Sequence, residues 1–183
     1  MPRTPIAAAA MLALTATQAG AQMGYNELAC YGRAYTPEHL AAHPGQRVAE
    51  IQVLLDGGID TDPPQGDATA TVGATVRATI RDRFGEFFAN FAICHWDAAG
   101  GHYECGIECD GGRFRIEAAD DSTLMLRNPY GGFVLYGGCG DDAEEGREVF
   151  IDADAEHAAF RLYPLPAAAC PQQLWQLYYG ESY

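Results

Sequence analysis

Apolar and polar positions alternate with period two along most of the chain after residue 48. In the clearest run, Thr69 to Arg81, Ala70, Val72, Ala74, Val76, Ala78 and Ile80 share one face. Thr69, Thr71, Thr75, Arg77, Thr79 and Arg81 share the other. Successive strand side chains point to opposite faces, so the run predicts a half-buried strand. Upstream, Ala49, Ile51, Val53 and Leu55 alternate with Glu50 and Gln52; downstream, Phe87, Ala89, Phe91 and Ile93 form a further apolar stripe. Tyr103, Cys105, Ile107 and Cys109 oppose Glu104 and Glu108, and Phe114, Ile116 and Ala118 oppose Arg113, Arg115 and Glu117. Shorter strands are predicted at 124–126, 133–136, 148–151 and 160–162. Turn-forming clusters separate them, among them Asp97-Ala98-Ala99-Gly100-Gly101, Asp110-Gly111-Gly112, Asp120-Asp121 and Asn128-Pro129-Tyr130-Gly131-Gly132.

Strands with one apolar face must cover one another. The pattern therefore predicts an all-β antiparallel meander, a closed or partly open barrel of about 8–9 strands, with a β-sandwich as the alternative. Short connections favour the barrel. One short helix is expected from Pro37 to His43, with Thr36 as its cap, Pro37 in its first position and Pro44-Gly45 as its stop.

The N-terminus has a different character. Arg3 is its only charge, an apolar stretch follows from Ile6 to Ala16, and Ala19-Gly20-Ala21 offers an A-x-A cleavage site. That order predicts a signal peptide over residues 1–21 and a single mature domain over 22–183, exported to the periplasm or secreted. The stretch is shorter than the roughly 20 apolar residues of a membrane span, and no later segment approaches that length. Lipidation at Cys30 is disfavoured by Glu27 and by the Asn26-Glu27 break before it. An outer-membrane barrel is disfavoured by strand charges that would meet lipid, and by Pro164, Pro166, Cys170 and Pro171 after the last strand.

All six cysteines, Cys30, Cys94, Cys105, Cys109, Cys139 and Cys170, lie in the mature part. An even count in an exported chain predicts up to three disulfides, with about fifteen ways to pair them. A staple between the termini through Cys30 and Cys170 is attractive. On the stripes above, Cys105 and Cys109 point inward and Cys94 outward, so a Cys94–Cys105 bridge would need a bulge. A zinc site through Cys105 and Cys109 is disfavoured, because four strand steps hold them about 13 Å apart.

Charge narrows the partners. The chain has no lysine and a formal charge of −14, which loss of Arg3 with the signal makes about −15. Nucleic acid and anionic membrane are disfavoured. A basic protein or a cation would be attracted, and the plainer consequence is solubility. No P-loop, dinucleotide glycine motif, G-x-S-x-G elbow or C-x-x-C occurs, and no cofactor is implied.

Several side chains nonetheless invite chemistry. His39 and His43 share a helix face without the glutamate of H-E-x-x-H, and His95 and His102 flank the Asp97–Gly101 turn beside Trp96. Asp56, Asp60 and Asp62 crowd one loop; Asp141, Asp142, Glu144 and Glu145 a second; Asp152, Asp154 and Glu156 a third. None has the calcium-loop spacing, and solvated acidic loops are the default. Arg77, Arg81, Arg113 and Arg115 face outward and are expected to pair with Glu104, Glu108 and Glu117, Glu108 with Arg113 first among them. The tail carries Trp175, Tyr178, Tyr179 and Tyr183, expected to dock on the barrel.

The stretches CYGRAYTPEHLAAHPGQ (Cys30–Gln46), CGIECDGG (Cys105–Gly112) and FRLYPLPAAAC (Phe160–Cys170) resemble segments of small exported bacterial cysteine-containing proteins with no known activity. The resemblance implies a shared fold and shared disulfides, and carries no catalytic or ligand-binding residues. The leading functional expectation is thus a non-enzymatic barrel that binds a small apolar ligand or a basic protein. A metal-dependent or hydrolytic enzyme built on the histidines, and a structural envelope component, are the alternatives.

Overall fold

A computed structural model of the chain describes residues 22–24, 27–59, 70–83, 86–108, 110–120, 122–135 and 148–170. The expected signal peptide, the 141–145 acidic cluster, the aromatic tail, Cys109 and Cys139 lie outside these residues. Ten strands are described: β1 (Leu28–Ala34), β2 (Val48–Asp56), β3 (Thr71–Ile80), β4 (Phe87–Asp97), β5 (His102–Ile107), β6 (Arg113–Ala118), β7 (Leu124–Arg127), β8 (Gly132–Leu135), β9 (Val149–Asp152) and β10 (Ala159–Leu165). Helix α1 (Pro37–Ala42) follows β1. Thr36 Oγ1 accepts its cap hydrogen bond from His39 N–H at 3.2 Å, and Pro37 occupies the first turn.

Eight strands close an antiparallel barrel in the order β1-β10-β7-β6-β5-β4-β3-β2. Closure leaves no wall strand with an unpaired edge. The inward face of β3 is the predicted stripe: Val72, Ala74, Val76, Ala78 and Ile80 are all buried. Glu50, Gln52, Arg77, Glu104, Arg113, Arg115, Glu117 and Arg127 lie on the outward register rows. This apolar inside and charged outside is the inverse of a lipid-embedded barrel. No helix among the described residues is long and apolar enough to cross a membrane.

Three expectations need correction. First, β4 faces the other way. Phe88, Asn90, Ala92 and Cys94 point inward, whereas Phe87 is exposed and Phe91 and Ile93 lie on the outer face. This strand is apolar on both sides, so its own pattern does not choose a face; register does. Val72, Cys94 and Cys105 stand side by side across β3, β4 and β5. Cys94 and Cys105 therefore form a disulfide directly across the ladder, without the expected bulge. Asn90 is the polar residue turned inward, and its side-chain amide donates to Val134 O at 3.2 Å.

Second, a wall strand not predicted above holds Cys30. β1 pairs with both β2 and β10 and completes the wall. Its sequence, LACYGRA, shows no stripe because Cys30 is covered from outside, by Leu54, Leu165 and its disulfide to Cys170. The expected staple between the ends is thus present.

Third, β8 and β9 are not wall strands. β7 pairs directly with β10, and the β8–β9 hairpin between them folds over one end of the barrel. Phe133, Leu135, Val149 and Ile151 enter the core, with the Phe133 ring 5.3 Å from that of Phe114. Polar bonds fix the plug: Val134 N–H to Gly111 O (2.8 Å) and Asn128 side-chain amide to Ile151 O (3.1 Å). Gly112 permits this approach. Its φ is +88°, and a Cβ there would stand 2.5 Å from Gly132 O.

Candidate functional site

With one end plugged, the opposite mouth is where inward side chains can meet a ligand. It is lined by Ala29 and Tyr31 of β1, Leu55 of β2, Trp96 of β4, Tyr103 of β5, Ile116 and Ala118 of β6, and Leu124 of β7. Large aromatic side chains stand here because small inward residues such as Ala74 and Ala92 could not reach across a mouth. Trp96 meets Tyr103 edge-on at 5.0 Å.

A short arm, residues 22–24, crosses this mouth. Met23 is buried in it, and its backbone N–H donates to the Tyr103 hydroxyl at 3.0 Å. A cavity of about 110 Å³ remains between arm and walls. Beyond the arm, the Glu27 carboxylate accepts from Gly24 N–H at 2.9 Å. Burial pushes the Tyr31 and Tyr103 phenols above their ordinary value, and the negative charge of Glu27 pushes both further; the Met23 bond opposes it at Tyr103. Glu27 lines the same cavity as both phenols. Glu117, also at the rim, is paired with Arg127 Nε at 2.6 Å.

The outer face carries a polar network. Glu104 on β5 accepts from Arg115 Nε (2.5 Å) and from the Tyr130 hydroxyl (2.8 Å to each oxygen), and it bonds His102 Nε2 at 2.9 Å. The His102 ring lies so close to Gly100 that a Cβ there would stand 2.1 Å from it, so any larger residue would push the ring aside. Arg113 does not pair with Glu108; its guanidinium lies over the Tyr130 ring at 4.9 Å. An open groove of about 380 Å³ runs beside this network over Gly106, lined by Ile93, His95, Glu108 and Arg113 among others. Glu104 is already paired there, and the remaining charges on the groove's wall, Glu108 and Arg113, are of opposite sign.

Burial opposes the charged form of His102, but the bonds to Glu104 and to the Gly100 backbone outweigh it and hold its pKa above the ordinary 6.5. Burial likewise opposes the Glu104 charge, and His102, Tyr130 and Arg115 outweigh it, holding the carboxyl below 4.5. Stability from His102 is thus full below about pH 6.5 and is lost as pH rises through its raised value. That from Glu104 is full above about pH 4.5 and is lost as pH falls through its lowered value. A His102→Gln variant is expected to lose the alkaline decline in stability, measured as urea midpoints from pH 5 to 8.5. An unchanged decline would remove His102 as its source.

The remaining candidates separate. His39 and His43 stack face to face at 4.3 Å, and His43 Nδ1 meets Glu156 at 3.1 Å. Stacked rings cannot aim both nitrogens at one ion. His95 Nδ1 lies 3.4 Å from Thr71 Oγ1, apart from the His102 network. Asp56 accepts from Gly58 N–H at 2.8 Å in its own turn, while Asp60 and Asp62 lie outside the described residues. Asp152, Asp154 and Glu156 each face a different partner, Arg47, His157 and His43. Among the described residues no three His, Cys, Asp or Glu side chains converge to hold a metal.

His157, which no pattern singled out, is buried and ties two loops together. Asp154 lies 2.7 Å from its Nδ1, and its Nε2 accepts from Arg47 N–H at 3.0 Å. The backbone donor at one ring nitrogen and the carboxylate at the other set the orientation of the ring. The chain matches no family model, no curated protein and no solved structure.

Proposed function

We propose that the chain is an exported, non-enzymatic binding barrel that takes a small ligand with an apolar body in its unplugged mouth. The observation that carries this reading is the asymmetry of the two ends. One is sealed by a hairpin whose apolar residues belong to the core, whereas the other is covered by Met23 above an aromatic-walled cavity. Barrels of eight strands have room for one small ligand when their interior is not filled. Here side chains fill the middle, so the space concentrates at the mouth. Disulfides and the predicted signal fit an oxidising compartment outside the cytoplasm.

Size decides what the site needs in order to open. A dry cavity of about 150 Å³ accepts benzene, so about 110 Å³ is too small while Met23 is seated. A Met23→Ala variant is therefore expected to bind benzene at least about tenfold more tightly than the parent, read by ligand-detected NMR. Equal affinity, or none in either protein, would count against the mouth as the site.

A further inference from the structure

The cavity at the mouth has an uneven chemistry. Three of its walls, Tyr31, Trp96 and Tyr103, are aromatic, and its rim carries the carboxylates of Glu27 and Glu117. No arginine or histidine side chain is among its described lining residues, so apart from the α-amino group that cleavage after Ala21 would place on Gln22 the lining carries no cation. Glu117 is neutralised by Arg127, but Glu27 makes no ion pair among the described residues. Instead it accepts from Gly24 N–H, which holds its charge at the entrance. A ring face attracts a cation, by roughly 0.5–1 kcal/mol when exposed and about 2 kcal/mol when desolvated. Aromatic walls under a fixed carboxylate thus favour a positive centre and disfavour a negative one. The acidity of the chain as a whole, −14 in formal charge, adds attraction at longer range.

From this geometry we infer that the mouth selects a small organic cation, an amine or quaternary ammonium on an apolar body, over neutral and anionic molecules of similar shape. The inference rests on the mouth being a ligand site. In the bound state the apolar body displaces the Met23 side chain, and the cationic centre lies between the aromatic walls and Glu27. The ligand is held without covalent chemistry.

Calorimetric titration of the disulfide-intact chain with benzyltrimethylammonium, benzyl alcohol and phenylacetate tests this. The cation is expected to bind about tenfold or more tightly than the alcohol, and phenylacetate weakest. Glu27→Gln should reduce the cation's advantage about threefold or more and leave the alcohol unchanged. Glu27 is exposed on a turn, so this variant should keep the fold. If the alcohol binds as tightly as the cation, the charge preference is wrong and the mouth remains a site. If none of the three binds, either to the parent or to Met23→Ala, the mouth reading falls with it.

Discussion

Replacing Cys30 and Cys170 together by serine is expected to destabilise the protein by about 4–5 kcal/mol, the larger loss of the two bridges described. The bridge joins residues 140 apart in sequence, whereas Cys94–Cys105 spans 11. A cross-link removes loop-closure entropy from the unfolded chain, and the effect grows with the logarithm of the loop. That relation gives about 5 kcal/mol for the long loop and about 3 kcal/mol for the short one. At about 2–4 °C per kcal/mol for a chain of this size, the melting temperature should fall by about 8–20 °C. Urea unfolding of the two double variants, Cys30→Ser/Cys170→Ser and Cys94→Ala/Cys105→Ala, makes the comparison. A greater loss from the short bridge would show that core packing around Cys94 and Cys105, both buried, outweighs chain entropy.

The wall strands β2, β3, β5, β6 and β7 were legible because each buries one face and wets the other. Period two then reports both the strand and its direction. That logic fails in identifiable places. β4 has apolar residues on both faces, so Phe87, Phe91 and Ile93 look as good a core stripe as Phe88, Ala92 and Cys94. Only neighbours settle it, through the Val72, Cys94 and Cys105 row. β1 buries Cys30 from the outside, under a disulfide, and leaves Tyr31 half-open at the mouth, which inverts the expected contrast. β8 and β9 were legible as strands but not as a plug, since a hairpin that caps a barrel has the same alternation as one within its wall.

The candidate site was less legible than the fold. Trp96 and Tyr103 were visible, but as neighbours of histidines or members of a stripe. What makes them a site is that both occupy inward positions at one barrel end, which depends on the facing of β4. Met23 carries no local signal at all. Its role follows from a contact 80 residues away in sequence, the bond to Tyr103. The histidines show the converse. Spacing marked His39, His43, His95 and His102, yet their partners lie on other elements or are single carboxylates, and sequence distance does not report those.

Truncating the plug is the second change expected to have a large effect. Phe133 is fully buried against Phe114, so Phe133→Ala should cost about 3–5 kcal/mol through lost burial and the cavity left behind. Phe150 lies on the same hairpin with the opposite facing and is 46% exposed. Its truncation should change stability by no more than about 0.5–1 kcal/mol, since little surface leaves water there. Paired urea titrations of the two variants thus test the facing of the hairpin with its length and backbone unchanged. Equal losses would mean that the hairpin does not insert one face into the barrel. The consequence reaches the mouth, because a barrel open at both ends would give a ligand two entrances. The expected inequality, large for Phe133 and small for Phe150, leaves the end bounded by Tyr31, Trp96 and Tyr103 as the way in.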